Sequence, residues 1–407
     1  MTERVHESHA AGARGLDALG AVTDAVEAGA GLPEILRAAA RALDASLVLI
    51  DRSATVLAVA ARSPADERSL MRDGEDVTRV ELKVADAPVG TLRMRSRGAA
   101  PDGSLLRLLT TLIASEVERT RGPERASEQA AVGFQQAALA GQIGDRQDLV
   151  ARGREFGIDL DSGASVVVAR AHPRNATEED WRSRLLALAL RGSRSVAPGA
   201  ICSRTPTESG EVVVLVPDPQ GSAGARCSAA ILRELESGLP GFTFAIGRSR
   251  HAADPLELPR ARDEALLAAN VVEGDPERNE LSYAESGTYQ LLLPHMRDPA
   301  ELRRFYEETI RPLAAYDEQY ETDLLGTLST FLECDANVNA TAARLFTHRH
   351  TVRYRFERVR ELTGLDVSSS DGREKLSLGL KAMRVLGLAP PRGPATEPGA
   401  EGGRVPR

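Results

Sequence analysis

Apolar and polar positions along the chain repeat with two periods, and the places where the period changes divide the sequence into units. Between Asp17 and Arg125, LPEILRAAARALDASL sets Ile35, Leu36, Ala39 and Leu43 on one stripe, which predicts a helix. SLVLIDRSATVLAVA then predicts two short strands around a polar turn at Asp51–Ser53. In VTRVELKV the alternation of Val77, Val80, Leu82 and Val84 predicts a strand, and PVGTLRMRS predicts another, with Gly90 marking a tight turn or bulge. GSLLRLLTTLIASEVERTR predicts a long closing helix with Leu105, Leu108, Leu109, Leu112 and Ile113 inward. Residues 126–160 read as a helical connector.

A second set of alternations fills residues 161–293. ASVVVARA is a buried strand and EEDWRSRLLALALRG a helix, followed by a hairpin, GAICSRTPTESGEVVVLVP, turning near Ser209–Gly210. GARCSAAILRELES is a helix, FTFAIGRS a strand, and LPRARDEALLAANVVE a helix. Strand, helix, hairpin, helix and strand is the ferredoxin-like order. Residues 294–320 read as a helical linker.

The helical period dominates residues 321–388. Leu324, Leu325, Leu328, Phe331 and Leu332 share one face, and Asp335–Asn337 break the helix. NATAARLF predicts a short second helix, with Asn339 as N-cap and Ala342, Leu345 and Phe346 inward. A turn, THR, leads to a third helix whose inner stripe is Val352, Phe356, Val359 and Leu362, ended by a left-handed Gly364. Two helices at this spacing predict a helix-turn-helix. The fold class is therefore multidomain α/β plus an all-α C-terminal part. Residues 1–16 and the Pro/Gly-rich 389–407 are expected to be disordered tails.

Charge changes the picture. The chain carries a formal net charge of -8, yet Arg344–Arg360 holds six arginines against the single carboxylate of Glu357, a local +5. Such a segment is either a solvated helix face or a surface for a polyanion, and double-stranded DNA is the expected partner. On the helical wheel His350, Arg353, Tyr354 and Glu357 lie opposite Val352 and Phe356, and Arg358 flanks that face. Arg353 is placed to donate twice to a guanine edge, while Arg344, Arg358 and Arg360 are placed for phosphates. Operator reading by symmetric dimers implies at least a homodimer.

Other chemistry is sparse. Cys202, Cys227 and Cys334 form no C-x-x-C pair and suit reduced thiols of a cytoplasmic protein better than a disulfide framework or zinc site. No apolar run approaches the ~20 residues that span a bilayer, and the N-terminal stretch lacks the apolar core of a secretory signal. His172, His251 and His295 are isolated, and neither metal nor cofactor is expected.

Asn337–Gly364 resembles the helix-turn-helix signature of the PucR/CdaR regulators. Asn337, Thr341, Ala342, Leu345, His348, Arg349, Thr351, Val352, Tyr354, Arg355 and Glu361–Gly364 meet its pattern; His350 stands where the family usually has Asn. The resemblance implies a ligand-responsive transcription regulator with an unidentified small-molecule effector. Together with the wheel it gives a DNA-binding set of Arg344, Thr347, His348, Arg349, His350, Thr351, Arg353, Tyr354, Arg355 and Arg358. FTFAIGRSR, LPRARDEALLAA and LSYAESGTYQLLL resemble the closing half of the degenerate GGDEF-like domain that family members carry, and the layout of 17–125 resembles a GAF- or PAS-like sensor. The competing reading is a nucleotide-binding or cyclase-like enzyme acting through residues 161–293. Such a site needs a Gly-Gly turn followed by acids that hold a divalent metal. Here Glu208 and Ser209 stand in place of the glycines and only Glu211 remains of the acids, so no catalytic residue is assigned.

Overall fold

A computed structural model describes residues 19–390, apart from 52–55, 73, 75, 97–101, 175–180, 206–209 and 276 and the side chains of 121–125. Both predicted tails, except 389–390, thus lie outside the described residues, as do Arg52 and Ser53 of the first predicted turn and Glu208 and Ser209. The chain divides into two compact units between Ala130 and Ala131.

In the first unit, helical residues 19–27 precede α1 (Leu32–Ala42), which starts after Gly31 at φ 80° with proline in its first turn. Strands β1 (Ala45–Asp51), β2 (Val56–Ala60), β3 (Thr78–Val84) and β4 (Ala87–Ser96) form an antiparallel sheet of order β2-β1-β4-β3. The β3–β4 register shifts between Leu82 and Lys83, beside Gly90, where a Cβ would stand 2.6 Å from the Ile50 carbonyl oxygen. The expected bulge is there, and close backbone approach requires the glycine. One sheet face packs against α1 and the start of α3 (Gly103–Leu139) through Ile35, Leu36, Leu49, Leu92, Leu109 and Ile113. On the other face lies α2 (Pro64–Arg72), which the apolar pattern does not announce: Leu70 is its one buried apolar residue, against Val48 and Ile50. Leu108, expected inward, is 53% exposed, because Leu109 and Ile113 already take the inward stripe.

The closing helix is longer than its pattern predicts, since α3 continues to Leu139 and places Phe134, Ala138 and Leu139 in the second unit's core. Beyond α4 (Arg146–Glu155), strands β5 (Ala164–Pro173), β6 (Ile201–Arg204), β7 (Gly210–Pro217) and β8 (Phe242–Arg248) have the order β6-β7-β5-β8, all antiparallel. With α5 (Trp181–Val196) and α6 (Ala223–Gly238) as crossovers this is the expected ferredoxin-like sheet, extended by a parallel edge strand β9 (Glu280–Ser282). Gly210, expected at the hairpin turn, pairs with Ala171 inside β7. Residues of α5 and α6 cover one sheet face. The other face takes α7 (Leu258–Glu273) together with α4 and the end of α3. At Gly247 of β8 a Cβ would fall 2.1 Å from the Ala265 oxygen and the Ala269 nitrogen, so α7 lies directly on the strand backbone.

After a 3-10 helix at Gly287–Met296, six α-helices follow among the described residues: α8 (Ala300–Thr309), α9 (Arg311–Tyr320), α10 (Leu324–Glu333), α11 (Val338–Arg344), α12 (Arg349–Thr363) and α13 (Ser370–Val385). Ile310 and Leu313 share a core with Leu328, Phe331, Val352, Phe356 and Leu376, so α9, expected as linker, packs as part of the helical domain. A further cluster joins Ala382 and Val385 of α13 to Leu267, Ala268, Val271 and Val272 of α7.

Gly247→Ala is expected to destabilise the protein by at least about 1–3 kcal/mol, because backbone atoms cannot yield to the added methyl. Gly133→Ala, in α3 where a Cβ meets nothing within 4 Å, is expected to stabilise it by up to ~1 kcal/mol. Thermal unfolding of the two variants checks both signs.

Candidate nucleic-acid interface

The two helices of the motif are set by caps rather than by propensity. Asp335 and Ala336 both take positive φ, 52° and 61°, which ends α10 as expected. Asn337, not Asn339, caps α11: it is extended, and its side-chain oxygen accepts from the N–H groups of Asn339 (2.9 Å) and Ala340 (3.1 Å). Asn339 falls inside the first turn. At the other end the Thr347 N–H donates to the Ala342 oxygen at 2.9 Å and the Phe346 N–H to the Ala343 oxygen at 3.2 Å. This pair of bonds is a Schellman closure, with Phe346 in the left-handed position at φ 50°. Phe346, expected inward, is 93% exposed, because the left-handed backbone turns it out of the helix stripe. A bulky residue there costs roughly 1 kcal/mol or more of backbone strain.

His348 caps α12, its Nδ1 accepting from the His350 N–H at 3.3 Å, and the two rings stack 5.0 Å apart. Val352, Phe356 and Val359 are buried, with Phe356 packed at 4.5 Å on Phe331 of α10. Leu362 is half-buried. His350, Arg353, Tyr354 and Glu357 lie on the exposed face as the wheel predicts. Gly364 closes the helix at φ 72°.

The arginines are not equivalent. Arg344 pairs with Glu333 at 3.0 Å, Arg358 with Glu361 at 2.7 Å, and Arg360 with Asp366 at 3.7 Å. Arg358 also lies over the Tyr316 ring of α9. Acids outside the 344–360 window therefore neutralise half of the set. Arg355 turns inward: its Nη1 donates to Thr327 Oγ1 at 2.6 Å and to the Asp323 carbonyl, tying α12 to α10. Arg349 and Arg353 form no ion pair among the described residues, and both are exposed in the first turn and a half of α12. Thr347 is half-buried in the turn, and Thr351 is exposed between them. The first turn of α12 contains no acidic residue. A helix N-terminus carries about half a positive charge, so Arg349 there is unfavourable until an anion arrives.

The middle domain uses its remaining acid differently. Glu211 is buried and accepts from Arg170 Nε at 2.6 Å. The other arm of Arg170 reaches Glu273 at the end of α7, which His172 also meets. Burial works to raise the Glu273 carboxyl, but the His172 hydrogen bond and the Arg170 charge outweigh it and hold it below the usual range. His251 Nε2 meets the Ser162 oxygen at 3.2 Å. Burial pushes the Cys202 and Cys227 thiols up to about 12. Among the described residues no cluster of His, Cys, Asp and Glu is arranged to hold a metal, and no helix is long and apolar enough to cross a membrane.

Capped helices around a short turn, on a domain fused to a ferredoxin-like sheet, define a helix-turn-helix protein. Residues 324–382 match the PucR C-terminal helix-turn-helix domain and residues 140–271 match the GGDEF-like domain. The chain therefore carries both domains that the sequence resemblance implied. It is similar to the purine catabolism regulatory protein of Bacillus subtilis, 37% identical over 21% of this chain and 16% of that protein. The proline-responsive transcriptional activator PutR of the same organism is 28% identical over 44% of each chain. The carbohydrate diacid regulator of Escherichia coli is 36% identical over 22% of this chain and 24% of its own length. Each match thus spans less than half of the relative.

Arg355→Ala is expected to lower the stability of the helical domain by about 1.5–3 kcal/mol, since it removes hydrogen bonds from a charged donor. Arg353→Ala is expected to leave the unfolding midpoint in urea unchanged. Equal effects would mean that the two arginines have the same role.

Proposed function

We propose that this chain is a ligand-responsive transcription regulator that reads a DNA operator through α12. One observation carries the reading: Arg349 and Arg353 stand unpaired at the N-terminal end of the second helix of the motif, the end that enters the major groove in this geometry. The contact set is His348, Arg349, His350, Thr351, Arg353 and Tyr354 at the groove, with Arg344, Thr347 and Arg358 toward phosphates. Arg355 supports α12 from behind rather than touching DNA. Two copies are needed to read a symmetric operator, so the working form is at least a homodimer in the cytoplasm. The antiparallel sheet of the first unit, residues 17–125, serves as a GAF- or PAS-like sensor for a small molecule. Residues 161–293 are the GGDEF-like domain and 321–388 the DNA-binding domain.

The relatives' names support regulation, since one is called proline-responsive and two are called regulators of catabolism or of carbohydrate diacids. A cyclase is the reading set aside. Glu211, the one acid left at the degenerate hairpin, is committed to a buried Arg170 pair and unavailable to a metal.

Selection from random duplexes is expected to enrich one operator, and Arg353→Ala is expected to relax preference at a single position by ~1–3 kcal/mol. Uniform weakening across all sequences would make Arg353 a phosphate contact instead. Affinity is expected to fall by roughly 10³–10⁵ between 50 and 200 mM salt, and a flat dependence would remove DNA as the partner of this face.

A further inference from the structure

We propose that Phe346 is a DNA contact, its ring covering apolar surface of the duplex beside the groove that α12 enters. The inference rests on the DNA-binding reading above and adds to it a residue that the charge pattern does not mark. Three observations carry it. The ring is 93% exposed, the most exposed large hydrophobic side chain among the described residues, although its neighbours Leu345 and Thr347 are half-buried. Its backbone is held left-handed, at φ 50°, by the hydrogen bonds from Phe346 to Ala343 and from Thr347 to Ala342. The ring therefore projects from a fixed turn rather than from a loose loop. Finally, it sits two residues before the His348 cap and three before the unpaired Arg349.

In the free protein both choices are unfavourable. Glycine would fit the left-handed position without strain, and a polar side chain would suit the water. Both penalties are offset if a surface arrives that covers the ring. That surface must also accept Arg349 and Arg353, so it has to be anionic as well as apolar. Duplex DNA combines the two: deoxyribose and thymine methyl groups lie between the phosphates and the base edges. A protein partner would need a row of acids around an apolar pocket to match the same turn.

The test uses the full chain, its selected operator, and the same operator with uracil in place of thymine. Phe346→Gly is expected to unfold at a temperature no lower than wild type and to bind the operator at least fivefold more weakly, while Phe346→Leu keeps most of the affinity. If the contact is to thymine methyl groups, uracil weakens wild type but not Phe346→Gly; if it is to deoxyribose, uracil weakens neither and the Gly variant still loses affinity. Unchanged affinity of Phe346→Gly overturns the proposal, whether or not the oligomeric state changes. So does a lowered unfolding temperature, which would show that the ring packs within the protein. A wild-type chain that enriches no duplex fails one step earlier and removes the DNA reading with it.

Discussion

The helical domain is held to the sheet domain at the C-terminal end of α13. Helix ends leave carbonyls without intrahelical partners, and burying them unpaired is costly. Here the side-chain nitrogen of Asn270, on α7, donates to the Val385 carbonyl at 2.7 Å within the seam, where both residues are buried. Leu267, Val271 and Val272 pack around it against Ala382 and Val385, and Arg384 reaches the Tyr289 hydroxyl at 3.0 Å. A Cβ on Gly274 would come within 3.3 Å of Ala389, so the chain after α7 passes close under the end of the helical domain. With this seam the helix-turn-helix is an extension of the GGDEF-like domain rather than a bead on a tether. The seam ties α7 to α13, and α13 shares a core with Val352 and Phe356 of α12.

That dependence gives a meaning to the ionic group around Arg170. A cyclase would hold acids at this end of the sheet free for metal, whereas here Glu211 of β7 and Glu273 of α7 are both bound to one guanidinium from β5. Buried charges are tolerated when they are paired, and removing one partner strands the rest. The group therefore pins the last turn of α7 to two central strands, three residues from Asn270. In this chain the two acids form a structural clasp on the helix that adjoins the helix-turn-helix domain.

Periodicity in the sequence made most of this legible. The order of strands and helices in residues 161–293 predicts the ferredoxin-like sheet because both faces are covered and each element is long enough to show its period. The inner stripe Val352, Phe356 and Val359 is likewise plain. What escaped has a physical reason in each case. α2 buries a single leucine, so it has no stripe to read. β9 is three residues long and pairs only at the edge. Asn337 and Asn339 are both chemically able to cap, and only the extended backbone of Asn337 decides between them. Phe346 lies on the apolar period of α11, and a single left-handed φ overrides the period. Arg355 reads as one more positive charge, because a sequence does not show that Thr327 waits behind it.

The same limit applies to the +5 segment. Counted along the chain it is a broad basic patch, but folding brings Glu333, Glu361 and Asp366 to three of its arginines and Thr327 to a fourth. What remains is narrow: two guanidiniums, two stacked imidazoles and a helix N-terminus on one end of α12. For a protein of net charge -8 this concentration has a consequence for recognition. A diffuse basic surface would bind any duplex through counterion release alone. Pairing the outlying arginines with acids weakens that indiscriminate attraction, because each pair must exchange partners before it can neutralise a phosphate. On the DNA-binding reading proposed above, the unpaired charge is at the helix end that enters the groove, and a larger share of the binding free energy then depends on which bases are present. On that reading, discrimination thus comes from the acids that hold the outlying arginines back as well as from the two arginines left unpaired.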